Sequence, residues 1–440
     1  MRLSFLFAGA LLAGTSLQAQ TYTAPLVGFT AATCLANSDT LVSVPFSRPP
    51  DFVGAIASVS SSTLTISGTT GWQNNQFAYG TALTAGGTQH NTYYALIGPR
   101  PVALAGTVSL VSGTNTVTGS GTSFTTAISP GDGLVLTGTT GGYFVVASVT
   151  NDTQLVITNN APTTLSAQTA NVSKSAKEGH TYEVSANATV NGISTVTLMT
   201  NGDDISSIVA GTQVALIPYW TLATLFPPSD LGVSYIGTSV VRSTQTQIMV
   251  PNYAKAGNNI AAFPIYYYSI PNSQWEVLGG STNAGDSILL PDGYFTVRNA
   301  GTASTLTTIG SVNNQRLSIP LISGAGPSPT QQQDNFVSIT RPLPVALRDL
   351  NLIASNAFTP TTSIHAIQDQ LFLFNNAVAA LNKAPNPATD YYYMNGMWQH
   401  LGGTLGVDAG GDTIPAGAAI MIRKVGTNGN TVFWTNQPTY

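Results

Sequence analysis

Apolar residues in this chain alternate with small polar ones over short stretches, and the alternation is broken by turn residues rather than sustained at helical spacing. "AIASVSSSTLTISG" (55–68) sets Ile56, Val59, Leu64 and Ile66 in two runs either side of a serine turn. "FVVASVTNDTQLVIT" (144–158) repeats the form with Asn151 and Asp152 at its turn, where their side chains can bond nearby backbone. "YEVSANATVNGISTVTLMT" (182–200) carries Asn191-Gly192, the pair most favoured in a two-residue hairpin. Lone hairpins of this size are marginal in water, so they must share cores. The pattern predicts an all-β chain of several small β-barrel or β-sandwich domains in tandem.

Self-similarity divides the second half of the chain. "QIMVPN" at 247–252 matches "QLFLFN" at 370–375, Trp275 matches Trp398, and Gly279-Gly280 matches Gly402-Gly403, all at a spacing of 123. The tyrosine triplets Tyr266–Tyr268 and Tyr391–Tyr393 lie 125 apart, because the second copy has the shorter turn before its tryptophan. Downstream, Asp286, Pro291, Gly293 and Arg298 face Asp412, Pro415, Gly417 and Arg423, and the aspartates read as equivalent ion-pair partners of the arginines. The last two domains are thus an internal duplication, 223–322 and 334–440, joined by the linker "SGAGPSPTQQQ" at 323–333. "LVSVPFSRP" near Val42 echoes "FVSITRPLP" near Val337. Repeats of this kind usually build scaffolds.

Composition adds a compartment and removes some partners. Residues 1–20 have a basic Arg2, a short apolar run and a small-residue end, the order of a secretory signal peptide, so an exported chain acting at the cell surface, in the outer envelope or outside the cell is expected. No apolar run reaches the length of a transmembrane helix. Charged residues make up only 7% of the chain, and without Arg2 there are 13 basic against 18 acidic residues, which disfavours nucleic acid. A single cysteine, Cys34, rules out an internal disulfide and reads as a small buried apolar residue. The 43 glycines and 25 prolines match many tight turns. An outer-membrane barrel also fits the alternation and the aromatic end "VFWTNQPTY", but Pro438 and the domain repeats favour separate globular units.

Between 105 and 172 the "TVTGSGTSF" hairpin, the "SPGDGL" turn and the "ASVTNDTQL" hairpin resemble a small β module of phage tail-fibre and bacterial surface proteins. That resemblance implies attachment or spacing. The flanking segments, 21–104 and 173–222, then read as one discontinuous β domain carrying a guest. Outside the guest, "NSDTLVSVPFSRP", "LIPYWTLATLFPPSDLGVS", the two "YYY…W…GG" hairpins, "RPLPVAL…DQLFLF" and "FWTNQPTY" resemble a family of exported, uncharacterised β proteins known mainly from verrucomicrobial bacteria. The family brings no established activity or site residues.

Candidate chemistry is sparse. Glu178, Glu183 and Glu276 are the only glutamates, and nothing in the pattern sets any of them opposite an aspartate as glycoside hydrolysis requires. His90, His180, His365 and His400 lack metal-ligand spacing. "NGDDIS" offers Asp203 and Asp204 to a cation such as calcium, without the full spacing of a calcium loop, and otherwise no cofactor is expected. Strand alternation sends Tyr266 and Tyr268 to one face and Tyr267 to the other. The paired hairpins therefore read as core anchors, with Tyr267, Trp275, Tyr392 and Trp398 as the alternative sugar-stacking surface. The leading expectation is a non-enzymatic structural or adhesive protein that self-associates or contacts envelope polysaccharide; the alternative is a carbohydrate-binding protein.

Overall fold

The computed structural model describes residues 26–436 apart from 69, 138–141, 159, 175–176, 240–244, 325–330, 386–388 and 427–428. The expected signal segment and most of the expected linker lie outside these residues. Among the described residues the regular secondary structure is almost entirely strand, organised in several separate sheets and one closed barrel. No described helix is long and apolar enough to cross a membrane.

The duplication is visible strand by strand. In the first copy Val27–Cys34 pairs with Ser304–Ser311 as a ribbon over a five-stranded sheet ordered Ser38–Val42, Phe295–Asn299, Gln247–Met249, Ile265–Ser269, Gln274–Val277. In the second, Leu317–Ile322 pairs with Thr431–Asn436 over a sheet ordered Gln332–Ser338, Ala419–Val425, Gln370–Leu373, Asp390–Met394, Met397–His400. A short pair, Trp220–Thr221 with Ile288–Leu289, recurs as Val345–Ala346 with Thr413–Ile414. The spacing difference between tyrosines and tryptophans has a local cause: Asn395 and Gly396 make a two-residue turn with φ of 53° and 82°, whereas the first copy turns over Ile270–Ser273.

This pairing moves two expected boundaries. Residues 27–42, expected in the N-terminal domain, belong to the first repeat, because Val27 pairs with Ser311 and Ser38 with Asn299. Residues 317–322, expected in the first repeat, supply the ribbon of the second. The echo between "LVSVPFSRP" and "FVSITRPLP" is the trace of these equivalent leading strands. Between them and the Trp220 or Val345 strand the copies differ: the second runs directly from Ser338 to Val345, while the first holds a whole closed barrel.

That barrel is ordered Thr181–Val190, Ile193–Met199, Thr63–Ile66, Phe52–Ser60, Gln213–Pro218, Tyr93–Ile97. Its Asn191-Gly192 turn has φ of 51° and 77°, the left-handed pair a twisted hairpin needs. Edge-to-face contacts run from half-buried Phe52 and Trp72 to Phe77 and Tyr93, which join Ile56, Leu64, Val196 and Leu216 in its core. A second guest interrupts it: the strands from Pro101–Ala103 to Ala170–Ser173 form their own sheet around Val108, Leu110, Phe124, Leu134 and Leu155.

The two repeat sheets face each other through a reciprocal lock. Asp39, almost wholly buried, accepts Arg298 Nε and Nη2 at 2.7 Å each. The second copy's Asn382 caps that pair, its amide donating to Asp39 at 2.6 Å and its side-chain oxygen accepting from Arg298 at 2.6 Å. Equivalently, Asp334 accepts Arg423 at 2.7 and 3.0 Å and is capped by the first copy's Asn259 at 2.7 Å. Backbone bonds from Asp39 N to Ala380 O and from Asp334 N to Gly257 O complete each half. Both asparagines sit at φ 51°, a left-handed conformation asparagine tolerates. Leu41, Tyr294, Phe336, Phe372 and Met421 form the apolar contact between the halves. The arginines therefore pair with aspartates of the leading strands. Asp286 and Asp412, expected as their partners, instead contact His90 and His400.

Two outcomes follow for stability. Asp334→Ala leaves Arg423 partly buried without its carboxylate and is expected to cost about 3–5 kcal/mol in urea denaturation. Asp390 lies in the second sheet with one oxygen unpartnered, and burial pushes its carboxyl up to about 6 against the pull of the Arg423 charge. Its contribution to stability is thus fully present below about pH 4 and lost as pH rises through about 6. Asp390→Asn should stabilise the chain at pH 7.5 by about 1–2 kcal/mol, allowing for solvent screening, and the gain should vanish near pH 4, as read from paired melting curves.

Candidate functional site

The repeated hairpins are built into the interior. Tyr266, Tyr268 and Trp275 face the first core, and Trp275 Nε1 donates to Phe226 O at 3.1 Å while its ring packs on Phe226 and Tyr235. Tyr391, Tyr393 and Trp398 face the second core, with Phe358 against Trp398. Tyr267 and Tyr392 lie on the opposite faces, as alternation requires.

Those opposite faces are covered too. Tyr267, Trp275, Tyr392 and Trp398 are 4%, 2%, 3% and 3% exposed, so none offers a ring to a solvent-borne sugar. The proposed stacking surface on the hairpins is corrected accordingly. Tyr267 closes a polar row that crosses the sheet through Asp39, Arg298 and Gln247 to Glu276. Its hydroxyl donates to Glu276 at 2.6 Å, and this bond, with burial, pushes the phenol up to about 12. Burial opposes the charge on Glu276, but donors from Tyr267, Asn272 and Gln274 outweigh it and hold the carboxyl below its usual range. In the second copy Tyr392 donates to the amide oxygen of Gln399 at 3.3 Å, a neutral version of the same contact.

Asp203 and Asp204 do not converge on a common centre. Asp203 gives its oxygens to Lys177 and to the Tyr182 hydroxyl, both at 2.6 Å, while Asp204 accepts the Ser206 amide at 2.9 Å. Among the described residues no three acidic, histidine or cysteine side chains are grouped as a metal would require.

What the structure does bring together is a titratable cluster where the guest module, the barrel and the second repeat meet. Glu178, with no exposed side-chain area, accepts Ser173 Oγ at 2.5 Å and lies 3.3 Å from Arg316 Nη2. Its other oxygen and Arg316 Nε have no hydrogen-bond partner. The guanidinium sits 5.9 Å above the Tyr143 ring of the module. Burial pushes the Glu178 carboxyl up, against the Arg316 charge. His180 packs on Phe433 at 4.2 Å, and burial together with Lys177 lowers its imidazole to about 4, so it is neutral at physiological pH. Gly179 makes this contact possible: at φ 86°, a Cβ there would lie 2.8 Å from Arg316 O.

A polar cavity of about 440 Å³ opens beside this cluster. Asp132, the second carboxylate on its wall, is held by the Ser129 amide at 2.9 Å. The arrangement therefore acts as a clamp: one charge pair, one aromatic contact and a neutral imidazole fix the module and barrel against the repeat. In sequence Glu178 and His180 stand alone, because Arg316 and Tyr143 are remote in the chain. The available signal was "KEGH" itself, a dense charged stretch in a chain with so few charges. Burial likewise raises the thiol of fully buried Cys34. No protein-family model matches the chain, and comparison with curated proteins and with solved structures finds no match.

If the hairpin tryptophans are core anchors, Trp275→Ala and Trp398→Ala should each lower unfolding free energy by about 3–5 kcal/mol. Unchanged denaturant midpoints would return these residues to the surface.

Proposed function

We propose that the protein is an exported, non-enzymatic structural protein of the cell surface, in which a paired-repeat platform carries a barrel and module and associates with further copies of itself. The observation that carries this reading is the reciprocal lock, which makes the platform one stiff body held from both sides. The buried Glu178–Arg316 contact extends that stiffness to the barrel and module. Neither arrangement resembles a hinge around a reaction centre.

Self-association has a candidate surface. The outer face of the second ribbon meets the barrel, through Phe433 against His180 and Ser318 against the backbone of Gly179 and Glu178. The first ribbon lacks such a cover: Val27, Phe29 and Ile309 are 61%, 77% and 58% exposed, and Phe29 lies directly opposite Ile309. Val27–Cys34 contains no charge and no proline, the features that normally block edge pairing. A second copy of the chain is the occupant this uncharged strand fits.

Negative-stain electron microscopy of the mature chain beside the native envelope tests the proposal. Ordered layers or filaments are expected in both, and Phe29→Lys with Ile309→Lys should disperse them at unchanged melting temperature. Monodisperse monomer at high concentration, with and without calcium, would refute it.

A further inference from the structure

We infer that the cavity between the first ribbon and the second repeat sheet is a binding site for a sugar unit of a neutral polysaccharide. This goes beyond the structural reading and does not rest on it, since layers can form without a ligand and a dispersed chain can bind one. The cavity measures about 490 Å³, within the range of small-molecule sites.

Its origin lies in a difference between the copies. Exchanging the copies relates this cavity to a smaller one, of about 220 Å³, lined by Tyr253, Leu290 and Asp292 of the first copy and by Pro320 and Ile322 of the second ribbon. There Tyr253 fills the space: its hydroxyl donates to Tyr294 O at 3.2 Å, its ring packs edge-on to Phe336, and a Cβ on Gly293 would lie 2.2 Å from it. At the matching position, 123 residues on, stands Asn376. Its amide bridges the Leu41 backbone at 3.1 and 2.8 Å, and no ring occupies the cavity. Asp292 is replaced by Ala416 in the matching loop. Packing would favour filling both spaces, since an unfilled cavity costs stability. The copy that stays open keeps its space at that cost.

The lining specifies the chemistry. Among the described residues no charged side chain lines the cavity, so a charged ligand would be desolvated without a counter-charge. Half-buried Phe374 provides an apolar face, while Thr30, Thr308 and Asn375 provide polar groups. Thr308 is 3% exposed, and its Oγ1 has no hydrogen-bond partner. A buried hydroxyl in that state costs about 1–3 kcal/mol until something bonds to it. A neutral pyranose meets both demands, with a C–H face for the Phe374 ring and hydroxyls for the polar groups. Ala31, Asn375, Ala377 and Thr413 are exposed at the mouth, leaving room for a longer chain to continue outward.

Calorimetric titration of the mature chain with short neutral gluco-, manno-, xylo- and galacto-oligosaccharides, beside an acidic oligogalacturonate, tests this. At least one neutral series should bind and the acidic one should not. Thr308→Val should weaken binding by about tenfold while leaving the melting temperature equal or higher, because the hydroxyl is unpartnered in the free chain. Ala416→Phe should fill the cavity and abolish binding; if that variant misfolds, the isosteric valine still decides. Binding of none of the neutral series, preference for the acidic one, or wild-type affinity in Thr308→Val would overturn the inference.

Discussion

The structure depends on a buried carboxylate–guanidinium pair that neither repeat completes alone. Asp39 and Arg298 come from one copy, yet the caps on both belong to Asn382 of the other, and Asp334, Arg423 and Asn259 repeat the arrangement in reverse. Burying ions in a chain this poor in charge is costly, and the cost is offset only when every lone pair and donor finds a partner. Because the loop of one copy supplies part of that satisfaction for the other, separating the copies would strip caps from two buried pairs at once. The lock therefore sets the orientation of the sheets more strictly than the small apolar contact beside it would. This is the self-complementary logic of a two-fold dimer interface, here within one chain.

A platform fixed in this way can carry guests, provided each guest returns the chain to where it left. The barrel does so: Phe52 on its first strand pairs with Leu216 on its last, so its two ends emerge side by side. The module repeats the device, with Pro101 paired to Ser173. Insertion then adds no long loop to close and leaves the host sheet intact. The second copy, which spans the same gap in a few residues, has the uninterrupted form of the host. Once joined only at neighbouring ends, a guest would swing about its attachment, and Glu178, Arg316 and Tyr143 remove that freedom.

Much of this was legible wherever the determinant is local. Asn191-Gly192, the serine turn at Ser61 and the alternation around Ile56 and Leu64 specify hairpins through backbone preferences of a few residues. The duplication was readable because Trp275, Trp398 and the glycines keep their spacing. The partners of Arg298 and Arg423 were not, since each lies on a leading strand far away in sequence, and Asp286 and Asp412 stood closer at equivalent positions. The boundary at 27–42 was hidden for the same reason: a strand's preference says that it pairs, not with whom. The hairpin aromatics were ambiguous in kind, since Tyr267 does point away from the core, and only the tertiary cover over the outer face decides its exposure.

Two copies of one fold also separate what folding requires from what it permits. Positions kept in both, such as the lock residues and the core tryptophans, answer to packing and hydrogen-bond satisfaction that each sheet must meet. Positions that diverge are of two kinds. Glu276 against Gln399 changes charge but preserves the contact with the facing tyrosine, so either form serves the row. Tyr253 against Asn376 and Asp292 against Ala416 do not preserve anything equivalent: volume and charge are both lost from one wall. The asparagine bonds the opposing backbone at Leu41, so the interface stays closed while the space beside it opens. A substitution that keeps the joint and removes the filling separates stability from occupancy, and it does so where both copies line the same cavity.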